Sequence, residues 1–128
     1  MLLTDPSATI ACDEEISRDQ LHIRDPFVYP DHATQHYVLF GTKQVDEHHS
    51  CFCYYSVDLE RWRGPKIIFT PGVDFNNDGI GWAPESFKYA GAYYLLISFR
   101  ERGQRRGTYI LKASQISGPY ELLSRAPL

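Results

Sequence analysis

Two carboxylates stand where held carboxylates could do acid–base chemistry. Asp25 lies in Ile23-Arg24-Asp25-Pro26-Phe27-Val28-Tyr29, and Glu85 lies in Gly81-Trp82-Ala83-Pro84-Glu85-Ser86. Each sits beside a proline at the head of a strand-like run. Proline fixes its own φ near −65° and pushes the preceding residue towards extended geometry. Asp25 is therefore expected at a strand entrance with its side chain aimed outward, as a base that must hold a water would need. The competing reading is a turn or cap aspartate, because Asp before Pro is common in turns. Two carboxylates that open two similar units could face one cleft.

The elements that would hold them follow from strand and turn chemistry. After an irregular lead-in over 1–21, which has room for one short strand, four runs succeed one another: Asp25 to Tyr29, His36 to Thr42, Ser50 to Ser56 and Lys66 to Thr70. Turn residues separate them, namely Pro30-Asp31-His32, Lys43 to His49, and Asp58 to Arg61 with Gly64-Pro65. The sequence predicts a meander of four antiparallel strands over 22–70. A linker over 71–81, rich in Gly, Asn and Asp, leads to a second unit over 82–128 with runs Glu85 to Tyr89, Tyr93 to Arg100, Thr108 to Ser114 and Tyr120 to Ser124.

The second unit repeats the first. Tyr37 to Phe40 matches Tyr93 to Leu96, and Gly64-Pro65 matches Gly118-Pro119. Asp25 and Glu85 are 60 residues apart, and Ser56 and Ser114 are 58 apart. A repeat of that size made of four strands is one blade of a β-propeller. The expected fold is all-β: two four-stranded antiparallel blades, with no helix longer than about two turns.

Composition narrows the function classes. The chain has 128 residues, 43% of them hydrophobic, with nine Tyr, seven Phe and two Trp against one Met. That balance favours strands over helical bundles. A net charge of −3 offers no footprint for nucleic acid or an anionic membrane, and no stretch approaches the roughly 20 apolar residues of a membrane span. Arg100, Arg102, Arg105 and Arg106, with Glu101, Gly103 and Gly107 among them, read as a solvated hairpin tip. Three cysteines without a secretory apolar segment argue against a disulfide framework and fit a reducing, cytoplasmic location. Cys51 and Cys53 are expected on opposite faces of a strand, which speaks against a shared metal. His48-His49 reads as solvated polar residues, so no metal site is expected.

These residues carry a family resemblance. Arg24-Asp25-Pro26-Phe27-Val28, Tyr37 to Thr42, Ser56-Val57-Asp58-Leu59-Glu60-Arg61-Trp62, Trp82-Ala83-Pro84-Glu85 and Ser117-Gly118-Pro119-Tyr120 resemble the opening blades of glycoside hydrolase family 43, whose members are five-bladed β-propellers. The resemblance covers residues 22 to 128. It implies inverting hydrolysis of xylosides or arabinosides, in which a base activates water and an acid across the bond protonates the leaving oxygen.

Asp25 matches the family's general base. Trp82 would offer an apolar face to the sugar and Glu85 a hydrogen-bond acceptor, the alternative for Trp82 being a blade-core tryptophan; Trp62 reads as core. The family's second aspartate and its general acid fall in later blades, beyond Leu128, so the chain is expected to be an N-terminal fragment, inactive in isolation. No cofactor is expected. Family members often hold a calcium ion at the propeller axis, but its ligands cannot be placed on this chain. The expected partner is a pentose-containing oligosaccharide, with no nucleic acid and no membrane. Self-association, or pairing with the missing blades, would cover the open flanks. The alternative function is a non-catalytic carbohydrate-binding or assembling propeller fragment.

Overall fold

The computed structural model describes residues 14–45, 48–70, 81–100, 103, 105–123 and 126–128, without the side chains of 44, 45, 48 and 49. Most of the lead-in, the linker over 71–80, Cys12, the His48-His49 side chains, Glu101 and Arg102 lie outside the described residues.

Among the described residues nine strands form two antiparallel sheets. They are β1 (Glu15–Ser17), β2 (Arg24–Asp31), β3 (His36–Val45), β4 (His48–Ser56), β5 (Arg61–Phe69), β6 (Trp82–Tyr89), β7 (Ala92–Phe99), β8 (Gly107–Ala113) and β9 (Glu121–Leu122). The first sheet has the order β1-β5-β4-β3-β2 and the second β6-β7-β8-β9. Each is the expected meander, stacked against its neighbour as successive propeller blades are. The first sheet also takes in Glu15–Ser17 as a fifth strand, its Ile16 opposite Trp62. The final run shortens to Glu121–Leu122. Only a single 3-10 turn, Arg18–Gln20, is helical among the described residues.

Alternation along the strands builds the core. On β7 the residues Tyr93, Leu95, Ile97 and Phe99 are buried while Tyr94, Leu96 and Ser98 are half-buried, the period of a sheet covered fully on one face. The buried set packs with Val38 and Phe40 of β3 and Cys51, Cys53 and Tyr55 of β4 in one cluster between the sheets. Cys51 and Cys53 thus share a face, as residues two apart on a strand must; the expectation of opposite faces is corrected. Burial pushes the Cys53 thiol up to about 12.

A second cluster of Leu39, Phe52, Tyr54 and Trp62 occupies the other face of the first sheet, where Ile16 and Leu21 of the lead-in, with Ile23, pack against it. Trp62 is core, as its sequence context suggests. The Ser56 to Arg61 turn delivers it there: the Asp58 carboxylate accepts hydrogen bonds from the backbone N–H of Glu60 and Arg61, both at 2.8 Å. Those two donors hold the Asp58 carboxyl below its ordinary range.

The backbone sharpens the repeat. Asp25 and Ala83 adopt left-handed φ angles of 50° and 51°, each directly before a proline. Each lies in a bulge, between Arg24 and Phe27 on β2 and between Trp82 and Glu85 on β6. The structural counterpart of Asp25 is therefore Ala83, and that of Glu85 is Phe27. The 60-residue spacing paired the carboxylates by chemical type, whereas the bulges pair positions.

Candidate active site

The bulge in β2 sets Asp25 apart from the sheet. Arg24 is opposite Thr42 and Phe27 opposite Phe40, so Asp25 and Pro26 together face Gly41 alone. The extended conformation expected before Pro26 gives way to φ 50°. A non-glycine residue there carries strain of about 1–3 kcal/mol, and aspartate is among the residues that tolerate it best. Gly41 makes room for the turn. A Cβ on it would collide with the Ile23 side chain and lie 2.9 Å from the Arg24 carbonyl oxygen. Its role was not read from the sequence; a glycine inside an otherwise apolar strand is the available signal for a close backbone approach.

Asp25 is exposed at this entrance. Among the other described carboxylates of the first sheet, Asp31 is buried and Asp58 is tied into its turn. Glu60 pairs with Arg18 and Glu15 with Arg61 and Arg63. Asp25 alone of these stands at the strand entrance, exposed and outside any described ion pair.

The two entrances share a rim. Strands β2 and β6 are in contact, and at their far ends the Tyr93 hydroxyl donates to Asp31 Oδ1 at 2.8 Å. Tyr93 is opposite Lys88 near the end of β6, so the end of β2 meets the end of β6. The strands run in the same direction and begin at the same side of the molecule. Asp25 and the Trp82-Ala83-Pro84-Glu85 segment consequently open the same rim.

They do not share one sheet face. Trp82 is opposite Ser98, Glu85 opposite Leu96 and Phe87 opposite Tyr94, which are the residues alternating with the buried set of β7. Trp82 and Glu85 thus belong to the face turned away from the first sheet. Trp82 is 45% exposed, not a core residue. The Arg106 guanidinium lies over its ring, with Cζ 3.8 Å from the centroid. The reading of Arg106 as part of a solvated tip is corrected: it is half-buried and donates from Nη1 to the Ser98 carbonyl at 3.0 Å.

Surface cavities of about 500 and 270 Å³ lie elsewhere, one between the β6–β7 turn and β9, the other around Asp31, His32 and His36. Neither includes Asp25, Trp82 or Glu85. No group of three or more metal-ligating side chains occurs among the described residues.

An all-β chain of two antiparallel meanders stacked on one core, each opened by a bulge before a proline, has the architecture of a propeller segment. The family model for glycosyl hydrolases family 43 matches residues 20–127, and the chain belongs to that family. An endo-arabinase from Bacteroides thetaiotaomicron VPI-5482 is similar at 32% identity with a TM-score of 0.78, over 88% of this chain and 38% of the endo-arabinase. The native arabinanase Arb43A of Bacillus subtilis shares the fold at 23% identity and a TM-score of 0.62, over 84% of this chain and 40% of its own. A GH43_1 enzyme from Xanthomonas citri, solved with xylotriose, shares it at 11% identity and a TM-score of 0.69, over 89% and 36%. The chain thus spans about two fifths of these relatives. No curated protein matches it.

Proposed function

We propose that the chain supplies the general-base side of an inverting glycoside hydrolase that acts on arabinose- or xylose-containing polysaccharides, with Asp25 as the base. The observation that carries this is the Asp25 bulge: an exposed carboxylate in a left-handed turn before Pro26, on the rim it shares with Trp82 and Glu85. The family membership and the arabinanase and xylotriose-bound relatives support the substrate class.

In this reaction Asp25 accepts a proton from a water while the water oxygen bonds to the anomeric carbon and the glycosidic C–O bond breaks. The leaving oxygen takes its proton from an acid about 6.5–9.5 Å from the base. Trp82 presents an apolar ring to the sugar and Glu85 accepts a hydroxyl hydrogen bond. The acid and the second aspartate come from outside residues 22–128, so this segment alone is not a complete catalyst. Its absence would cost roughly 10²–10⁴-fold in rate. The test is a graft in which residues 22–128 replace the corresponding part of the Bacteroides endo-arabinase, assayed on arabinan and xylan with and without Asp25→Ala.

A further inference from the structure

We propose that Arg106 is a positioning residue for sugar binding, which locks Trp82 so that a pentose ring can stack on one face of the indole only. The proposal rests on the reading of the Asp25 rim given above.

The geometry forms a closed unit. Arg106 Cζ stands 3.8 Å from the Trp82 ring centroid, within the range of direct stacking. Its Nη1 donates to the Ser98 carbonyl at 3.0 Å, and Ser98 is the residue opposite Trp82 in the β6–β7 pairing. The guanidinium is therefore held by the strand that flanks the indole. A planar fork is preorganised for such a double task, stacking through its face while donating in its plane.

Trp82 remains 45% exposed with Arg106 on one face, so solvent reaches it from the other face and the edge. A free indole at a strand entrance would sample several side-chain angles, and ordering it would oppose binding. With the guanidinium in place that ordering is complete before a sugar arrives. A pentose ring can lay its C–H face on the open side of the indole, while the occupied side excludes a second ring. Among the described residues the first sheet has no such pair: Arg24 stands in the position of Trp82, at the corresponding bulge.

Trp62, the other tryptophan, is 3% exposed, so acrylamide quenching of indole emission reports on Trp82. Arg106→Ala and Arg106→Lys should each raise the quenching constant about twofold, because an ammonium cannot cover the ring as a planar fork does. The same variants should bind arabinotriose or xylotriose about tenfold more weakly, read from Trp82 emission, with the unfolding midpoint unchanged. Arg106→Lys keeps the charge and serves if Arg106→Ala fails to fold. Unchanged quenching would overturn the stacking, and raised quenching with unchanged affinity would overturn the positioning role. If neither trisaccharide perturbs the unaltered chain while quenching still responds to Arg106, the Arg106–Trp82 geometry stands, but the sugar-site reading fails and takes the positioning role with it.

Discussion

The Tyr93 hydroxyl donates to the buried Asp31 carboxyl across the seam between the two sheets, at 2.8 Å. Thr34 Oγ1 donates to the other carboxyl oxygen at 2.7 Å. The pair ties the end of β2 to the start of β7 and so fixes which rim the entrances of β2 and β6 share. Tyr93→Phe leaves a buried acceptor short of a donor, a loss of about 1–3 kcal/mol. Denaturant unfolding should show a lower midpoint with an unchanged slope. A variant as stable as the native chain would mean that the sheets are docked by apolar packing alone.

The same seam makes the fold alkali-sensitive. Burial raises the Cys53 thiol from 9.0 to about 12, and raises the hydroxyls of Tyr55, Tyr93 and Tyr120 above their ordinary range. These acids are protonated in the fold and ionise more readily when unfolded. Above the unfolded thiol value of 9.0 the folded state binds more protons, so stability falls as pH rises towards the raised folded values. Denaturation midpoints should be lower at about pH 10.5 than at about pH 8. A midpoint that is flat or rises over that interval would contradict the protonated seam.

Gly41 is expected to matter to Asp25 more than its distance along the chain suggests. A methyl group there meets Ile23 and the Arg24 carbonyl oxygen, so Gly41→Ala must displace the segment that leads into the bulge. Overpacking of this kind costs about 1–3 kcal/mol. A carboxylate moved by about 1 Å loses about 10²-fold in rate. In the graft, Gly41→Ala should lower Asp25-dependent turnover by far more than it weakens substrate binding. Equal turnover would show that the bulge does not depend on Gly41.

The outward face of the second sheet should drive association. Phe27, Tyr29, Val38 and Phe40 of the first sheet pack in the core against the second. On the second sheet the corresponding face presents Phe87 at 41% exposure, stacked on Tyr94 at 5.4 Å. A sheet face of that kind associates when nothing covers it. Light scattering on the chain should give a mass above that of a monomer, and Phe87→Lys should lower it. A compact monomer would contradict this.

The strands were legible as short apolar runs between turn residues. Tyr93 to Phe99 and Thr108 to Ala113 bury every second residue in the fold, but their sequences are too uniformly apolar to show which face is covered. Strand β1 was legible only as room for one short strand in the lead-in, not by position, because three residues with one apolar side chain, Ile16, are held largely by pairing to β5. The place of Asp25 at the head of β2 was legible from Pro26, but its left-handed turn was not. Local preference before proline points to extended geometry, and the bulge arises from pairing with a strand that carries Gly41. Arg106 was hidden because its stack on Trp82 joins residues far apart in the chain, and an arginine amid glycines and charges has the composition of a solvent-facing turn.

The role of Asp25 is tested most directly by chemical rescue of the graft. Asp25→Ala should lower hydrolysis of a nitrophenyl pentoside by roughly 10²–10⁴-fold. Added azide, which needs no base, should then restore nitrophenol release by bonding through nitrogen to the anomeric carbon as the glycosidic bond breaks. The product should be a glycosyl azide of inverted configuration, identified by proton NMR. Hydrolysis that survives Asp25→Ala, or a variant that azide leaves inactive while it still binds the pentoside, would contradict the assignment of Asp25 as the base.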